Sequence, residues 1–228
     1  MAIEYLPDRR IERAAIDLLI AYGRKFAEVT EPPVPAEEIL DCYFDLSLGF
    51  DDLRARFDDA DVLGATWIED ATVLIDTGLD PVENPEKEGR YRFTLAHEAG
   101  HWALHRQILL DARSAPLLGG KPEPSVICRN TTRKPRIEIQ ADRFAGFLLM
   151  PEDMVIRWWE KLTGSGTPQV AEDEVREQIE QADPGQEPIA EVSSRMGEAF
   201  HVSGQAMQIR LRELELLLMK RPPPSLFG

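Results

Sequence analysis

Residues 90–109, RYRFTLAHEAGHWALHRQIL, carry three of the chain's four histidines and constrain the fold more than any other stretch. Apolar residues recur there at three- and four-residue spacing with no proline, which predicts a helix. His97 and His101 flank Glu98 in an H-E-x-x-H pattern. On an α-helix this spacing leaves the two side chains about 40° apart in azimuth and about 6 Å apart along the axis. Both imidazoles can therefore converge on one ion, and Glu98, on the flank of that face, can reach a water held there. Two neutral nitrogen donors and a carboxylate that takes a proton from water are the residues a zinc peptidase requires. His105 shares the face but lies about 12 Å from His97 along a straight helix, too far for one ion to bridge. A packing or hydrogen-bonding role is expected for it. A three-histidine metzincin motif would need Gly at 104 and His at 107; Leu104 and Gln107 exclude that class.

The third ligand must come from elsewhere. RIEIQADRFAGFLLM, from Arg136 to Met150, predicts a second amphipathic helix with Glu138 and Asp142 four apart on one face. Alone, that spacing describes an exposed acid pair. Beside His97 and His101 it allows a division of labour. Glu138 can complete a two-histidine, one-carboxylate site whose fourth position takes water. Asp142 can accept the far N–H of a ligand histidine and fix its tautomer. His201, the remaining histidine, falls in a separate helical segment and is the lesser candidate.

Charge and composition narrow the function classes. The balance 26 − 41 = −15 repels phosphate backbones, so direct DNA binding is not expected. A local basic run, with Lys121, Arg129, Arg133, Lys134 and Arg136 against Glu123, reads first as a solvated loop. No apolar run approaches a membrane span, and the amino terminus carries acids and arginines where a secretory signal needs an apolar core. A cytoplasmic protein with reduced Cys42 and Cys128, and no membrane partner, is expected.

Around the two helices the chain is mixed. Residues 8–29 predict an amphipathic helix capped by Asp8, and AEEILDC a short second one. YFDLSL, VLGATWI and TVLIDT predict a three-stranded antiparallel sheet over 42–77, with Glu69-Asp70 as a hairpin turn. The Pro/Gly-containing connection from Asp111 to Pro135 is longer than an ordinary loop and is expected to lie near a site. Pro151 suits the first turn of a helix over PEDMVIRWWEKL. Residues 163–188 read as an acidic linker or solvated helix, 189–220 as a helix–turn–helix-like segment, and 221–228 as a Pro-rich tail. Helical elements around a small sheet make the fold class α+β.

RFTLAHEAGHWALH followed by IEIQADRFAGFLLMP resembles the ImmA/IrrE family of bacterial and phage metallopeptidases. The similarity reaches upstream to GATWIEDATVLID and covers about residues 8–160. It implies a zincin-like, thermolysin-like domain over residues 1–162 and a Zn2+-dependent endopeptidase, with Mn2+ the other ion to consider. His97 and His101 match the family's metal-binding histidines, Glu98 its catalytic glutamate and Glu138 its carboxylate ligand. The implied substrates are helix-turn-helix repressors, whose inactivation releases stress-response or mobile-element genes. SSRMGEAFHVSGQAMQIRLREL is similar to the small helical segment that follows the catalytic part in this family, with packing as its expected role. With the sequence ending at Gly228, no sensory domain like that of the larger members is expected, and the regulatory input is where a departure from them is expected.

A substrate strand is expected to pair with an exposed strand of the 42–77 sheet. Arg129, Arg133 and His201 are the residues to consider as a second oxyanion donor. Two other function classes remain open at this point. One is a non-catalytic zinc module that inactivates a repressor or toxin by binding it; the intact Glu98 argues against it. The other is a DNA-binding regulator using residues 193–220, against which the net acidity weighs.

Overall fold

The structure, a computed structural model, describes residues 4–112, 123–130, 134–181 and 188–220. Arg133, Lys121 and the Pro-rich tail lie outside the described residues. The chain divides into two compact units, Met1–Leu149 and Met150–Gly228. Among the described residues no helix is long and apolar enough to cross a membrane.

The first unit opens with α1, Asp8–Lys25, which buries Ile11, Ala15, Leu18 and Tyr22 along one face. Pro7, not Asp8, is its N-cap, and Asp8 instead supplies a negative charge to the first turn, where the helix dipole favours it. A short α2, Ala36–Glu38, widens into a π-helical turn, Ile39–Tyr43. Then come β1 (Ser47–Asp51), α3 (Leu53–Phe57), β2 (Val62–Trp67) and β3 (Thr72–Asp76). The long helix follows as α4, Glu88–Gly100, a π-helical turn His101–His105, and α5, Arg106–Ala112. Strand β4, Val126–Arg129, and α6, Arg136–Leu149, complete the unit.

The expected α+β class holds, but the sheet is mixed and four-stranded, in the order β1-β3-β2-β4. Strand β1 runs parallel to β3, while β2 runs antiparallel to both β3 and β4. The purely antiparallel, three-stranded sheet expected from the sequence is thus incorrect on two counts. The first reason is α3, hidden in the charged stretch DDLRARFDD. Asp52 caps it by accepting from the Ala55 N–H at 3.0 Å, and Asp58 closes it in the left-handed conformation. That helical crossover carries the chain past β3's place and lets β1 lie parallel to it. The second reason is β4, drawn from the long connection that sequence spacing could not assign to a sheet.

Strand β2 is buried throughout, because both faces are covered. One face packs Ala65 and Trp67 with Leu53, Phe57, Leu74 and Ile127. The other presents Gly64 and Thr66 to α4, with Cys128 paired beside Gly64 and Val126 beside Thr66. Strand alternation thus puts Cys128 on the α4 side of the sheet. On its opposite flank α4 packs against α6 at Gly100. A Cβ there would lie 3.2 Å from the Ala141 Cα and from two Phe144 carbons. Glycine at this point lets the two helices approach closely.

The second unit holds α7 (Glu152–Thr163), β5 (Gln169–Val170), α8 (Glu172–Gln181), α9 (Glu191–Phe200), α10 (Gly204–Glu213) and β6 (Leu217–Leu218). Pro151 precedes α7 as its N-cap, and Gly164 ends it at φ 73°. Helices α9 and α10 form a helix–turn–helix shape, with Ser203 accepting from the Ala206 N–H at 3.1 Å. Gly197 lets the turn tuck in, since a Cβ there would meet the Val202 carbonyl at 2.9 Å. Helix α10 buries Met207, Gln208, Arg210 and Leu211, and the Arg210 Nε–H donates to the Met150 carbonyl.

Candidate metal centre

The close α4–α6 contact at Gly100 brings Glu138, in the first turn of α6, over the histidine face of α4. His97 and His101 are fully buried and Glu138 nearly so. Their Nε2 atoms lie 2.9 Å apart, with Glu138 Oε2 3.1 Å from His97 and Oε1 3.3 Å from His101. These three residues form one of two groups of potential metal donors among the described residues. Four ligands held tetrahedrally at zinc distances of about 2.0–2.1 Å stand roughly 3.3 Å from each other. The observed separations match or fall a few tenths of an ångström short. Two imidazoles and a carboxylate are also the nitrogen and oxygen donor set zinc accepts, so the residues fit the ion.

Asp142, one turn beyond Glu138, accepts from the His97 Nδ1–H at 2.9 Å. Its other oxygen receives Lys134 Nζ at 2.7 Å. With Nδ1 committed as donor, His97 Nε2 presents a lone pair to the centre in the neutral ring. Burial pushes the His97 pKa down, but Cys128, Asp142 and Glu138 on its other sides raise it well above the ordinary value. A metal ion would displace the proton held there. Burial dominates at His101 and lowers its pKa. Burial would raise Glu138, but hydrogen bonds and charge from His101 and His97 hold it well below the usual carboxylate range.

Glu98, on the flank of the histidine face, points toward the sheet, with a carboxylate oxygen within 4.8 Å of a His97 ring nitrogen. It is fully buried, and its Oε2 accepts from the Thr66 hydroxyl at 2.5 Å. Its Oε1 is buried without a hydrogen-bond partner. Gly64 leaves the room: a Cβ there would lie 2.8 Å from that oxygen. An orphaned carboxylate oxygen in such a place wants a donor such as water. Burial pushes the Glu98 pKa up to about 7, against the lowering effects of His97 and Thr66. A carboxylate poised near neutrality suits general-base work.

The remaining sequence candidates are placed as follows. His105 is buried on the π-helical turn, with its Nδ1 3.2 Å from His101 Nδ1 and its Nε2 2.9 Å from Gln140 Oε1. Burial pushes its pKa down to about 4, against the raising effect of Gln140. Arg129, at the end of β4, pairs with Asp59 at 2.8 Å rather than with the histidine cluster. His201 belongs to the second unit, where it caps α9 at φ 51°.

Three residues were missed from the sequence. Cys128 is the most notable: its thiol, with His97 and Glu98, forms the second group of potential metal donors. Burial raises its pKa, against the lowering effect of His97 beside it. Thr66 and Gln140 are the others. None of the three carries a local motif, because each arrives by sheet register or helix packing.

A buried H-E-x-x-H helix set between a small sheet and a second, carboxylate-bearing helix defines a zincin-like fold of the metallopeptidase kind. The model of the IrrE N-terminal-like domain, Peptidase_M78, matches residues 82–212, and the chain belongs to that family. The matched span contains His97, Glu98, His101, Glu138 and Asp142. The family is the ImmA/IrrE family that the sequence resembles, and it implies a metal. Among solved structures, a Mycobacterium tuberculosis transcriptional regulator is similar at TM-score 0.44 and 17% identity. The match covers 95% of this chain and 54% of that one, so the chain spans about half that protein's length. Comparison with curated proteins gives no match.

Proposed function

We propose that the protein is a zinc-dependent endopeptidase that inactivates a helix-turn-helix repressor by cutting it. The observation that carries this reading is Glu98. A structural metal site has no use for a buried carboxylate beside its ligands with one oxygen unpartnered. His97, His101 and Glu138 would hold the ion, and Asp142 would keep His97 in its ligating tautomer. When bound, zinc supplies Lewis acidity at the scissile carbonyl and makes water a nucleophile near neutral pH.

This chain's own residues do the rest. Thr66 holds Glu98 Oε2, leaving Oε1 as the atom that takes the proton from the attacking water. Glu98 then returns that proton to the leaving amine. For the substrate strand, β2 is paired on both sides, and among the described residues the sheet has two edges, β1, which lies within 42–77, and β4. Strand β4, which carries Cys128 beside His97 and Glu98, is the edge favoured for backbone pairing. The repressor substrate is supported by the family's association with regulators.

The test is to incubate the zinc-loaded protein with helix-turn-helix repressors of its own genome, beginning with any encoded beside it. Mass spectrometry should find a cut that disappears with Glu98→Gln while zinc content stays unchanged. A general base contributes about 10²–10⁴-fold, so residual cleavage should fall by at least about a hundredfold. Cleavage at the wild-type rate by Glu98→Gln would overturn the mechanism.

A further inference from the structure

We infer that His105 and Gln140 are positioning residues that set the tautomer of His101 and aim its Nε2 at the metal. This rests on the reading of His97, His101 and Glu138 as ligands. The argument begins outside the centre, at the backbone carbonyl of Glu4. A carbonyl only accepts, so Gln140, which meets it through Nε2 at 2.8 Å, must donate there. The Gln140 amide is thereby oriented with Oε1 toward His105, 2.9 Å from that ring's Nε2. An amide oxygen also only accepts, so His105 carries its proton on Nε2 and presents a lone pair at Nδ1. His101 Nδ1 lies 3.2 Å from that lone pair and is the donor. The remaining nitrogen of His101, Nε2, is then the lone-pair atom, and it faces His97 and Glu138.

Each link leaves the next one role. His101, His105 and Gln140 are 0%, 1% and 3% exposed, so solvent does not compete for these bonds. An unmade bond there would leave a buried polar group unsatisfied. The turn carrying both rings, His101–His105, is π-helical, an irregularity common at functional sites. The two ligand histidines are thus supported differently. His97 leans on an Asp142 carboxylate paired with Lys134, and His101 on a neutral imidazole–amide–carbonyl line. The second line orients a ligand without adding another negative charge to a centre that already holds Glu138 and Asp142.

Two measurements on the full chain test this. In the zinc-loaded wild type, ¹⁵N-histidine NMR should show His105 as the neutral Nε2–H tautomer and His101 protonated at Nδ1. A His105 found as the Nδ1–H tautomer or as imidazolium overturns the proposal. For His105→Phe, zinc affinity measured by competition with a chromophoric chelator should fall by about 10–100-fold, as for other outer partners of ligand histidines. A loss smaller than tenfold in the folded variant overturns the proposal, and if the variant does not fold the NMR result decides alone. Glu138→Ala separates this from the ligand reading: unchanged zinc affinity there sinks the ligand set itself. Weakened affinity in Glu138→Ala with none lost in His105→Phe sinks only the positioning role.

Discussion

Replacing Gly100 by alanine tests whether helix contact, rather than backbone freedom, is why glycine stands inside the H-E-x-x-H motif. Gly100 is the last residue of α4 and continues helically into His101, so alanine suits its backbone. Helix propensity alone would favour the change by up to about 1 kcal/mol. Against this, the new methyl would sit 3.2 Å from the Ala141 Cα and from Phe144 Cβ and Cδ1. Carbon–carbon contacts prefer about 3.5–4.0 Å, so a gap of roughly 0.3 Å or more must open. Ala141 Cα is backbone and cannot turn aside, so α6 itself must move. Overpacking of this kind costs about 1–3 kcal/mol, and the net destabilisation should be about 0–2 kcal/mol.

The larger consequence falls on the metal. Glu138 lies one turn before Ala141, and Asp142 is its immediate neighbour, so both carboxylates move with α6. Sites of this kind need placement within about 0.5 Å, and a partial displacement should weaken zinc binding by roughly tenfold. Chelator competition gives the affinity, and thermal melts of zinc-free protein give the stability. Wild-type zinc affinity together with a raised melting temperature would refute the reasoning, leaving only the propensity gain.

Glu138→Ala should lower the zinc stoichiometry measured by atomic absorption, and a retained full equivalent would move the third ligand elsewhere. Thr66→Val removes the hydrogen bond that lowers the Glu98 pKa, so the acid limb of the kcat/KM profile should move to higher pH; an unmoved limb would detach Thr66 from the general base. Free zinc at a hundred times its Kd should stabilise the folded chain by about 2.7 kcal/mol, a melting shift of roughly 5–10 °C that chelation reverses. Because the ligand histidines must be neutral to bind, and His97 holds its proton to well above its ordinary pKa, zinc affinity should already fall as pH drops through the range above that ordinary value, and a pH-independent affinity would argue against imidazole ligands.

Periodicity carried much of this protein. The spacing of Ile11, Ala15, Leu18 and Tyr22 is enough to predict α1, and that of His97 and His101 places both imidazoles on one face of α4. Glu138 and Asp142 announce themselves in the same way, because a helix makes positions four apart into neighbours. These are local facts, set by backbone geometry within a single element. Strand order is a different kind of fact. Whether β1 lies parallel or antiparallel to β3 depends on a short helix masked by charged residues. Whether a fourth strand exists depends on where a long connection returns.

The sequence by itself therefore determined which residue types could hold a metal and which helix each would ride on. Only the tertiary structure decided what surrounds them. Gly100 lets α6 approach, the pleat of β4 turns Cys128 toward His97, Thr66 reaches Glu98 from β2, and Gln140 ties His105 to the backbone of Glu4. The physical reason is range. A ligand pair within one helical turn is fixed by the helix itself, whereas its hydrogen-bond partners come from segments that meet it only when the sheet and the helices pack together.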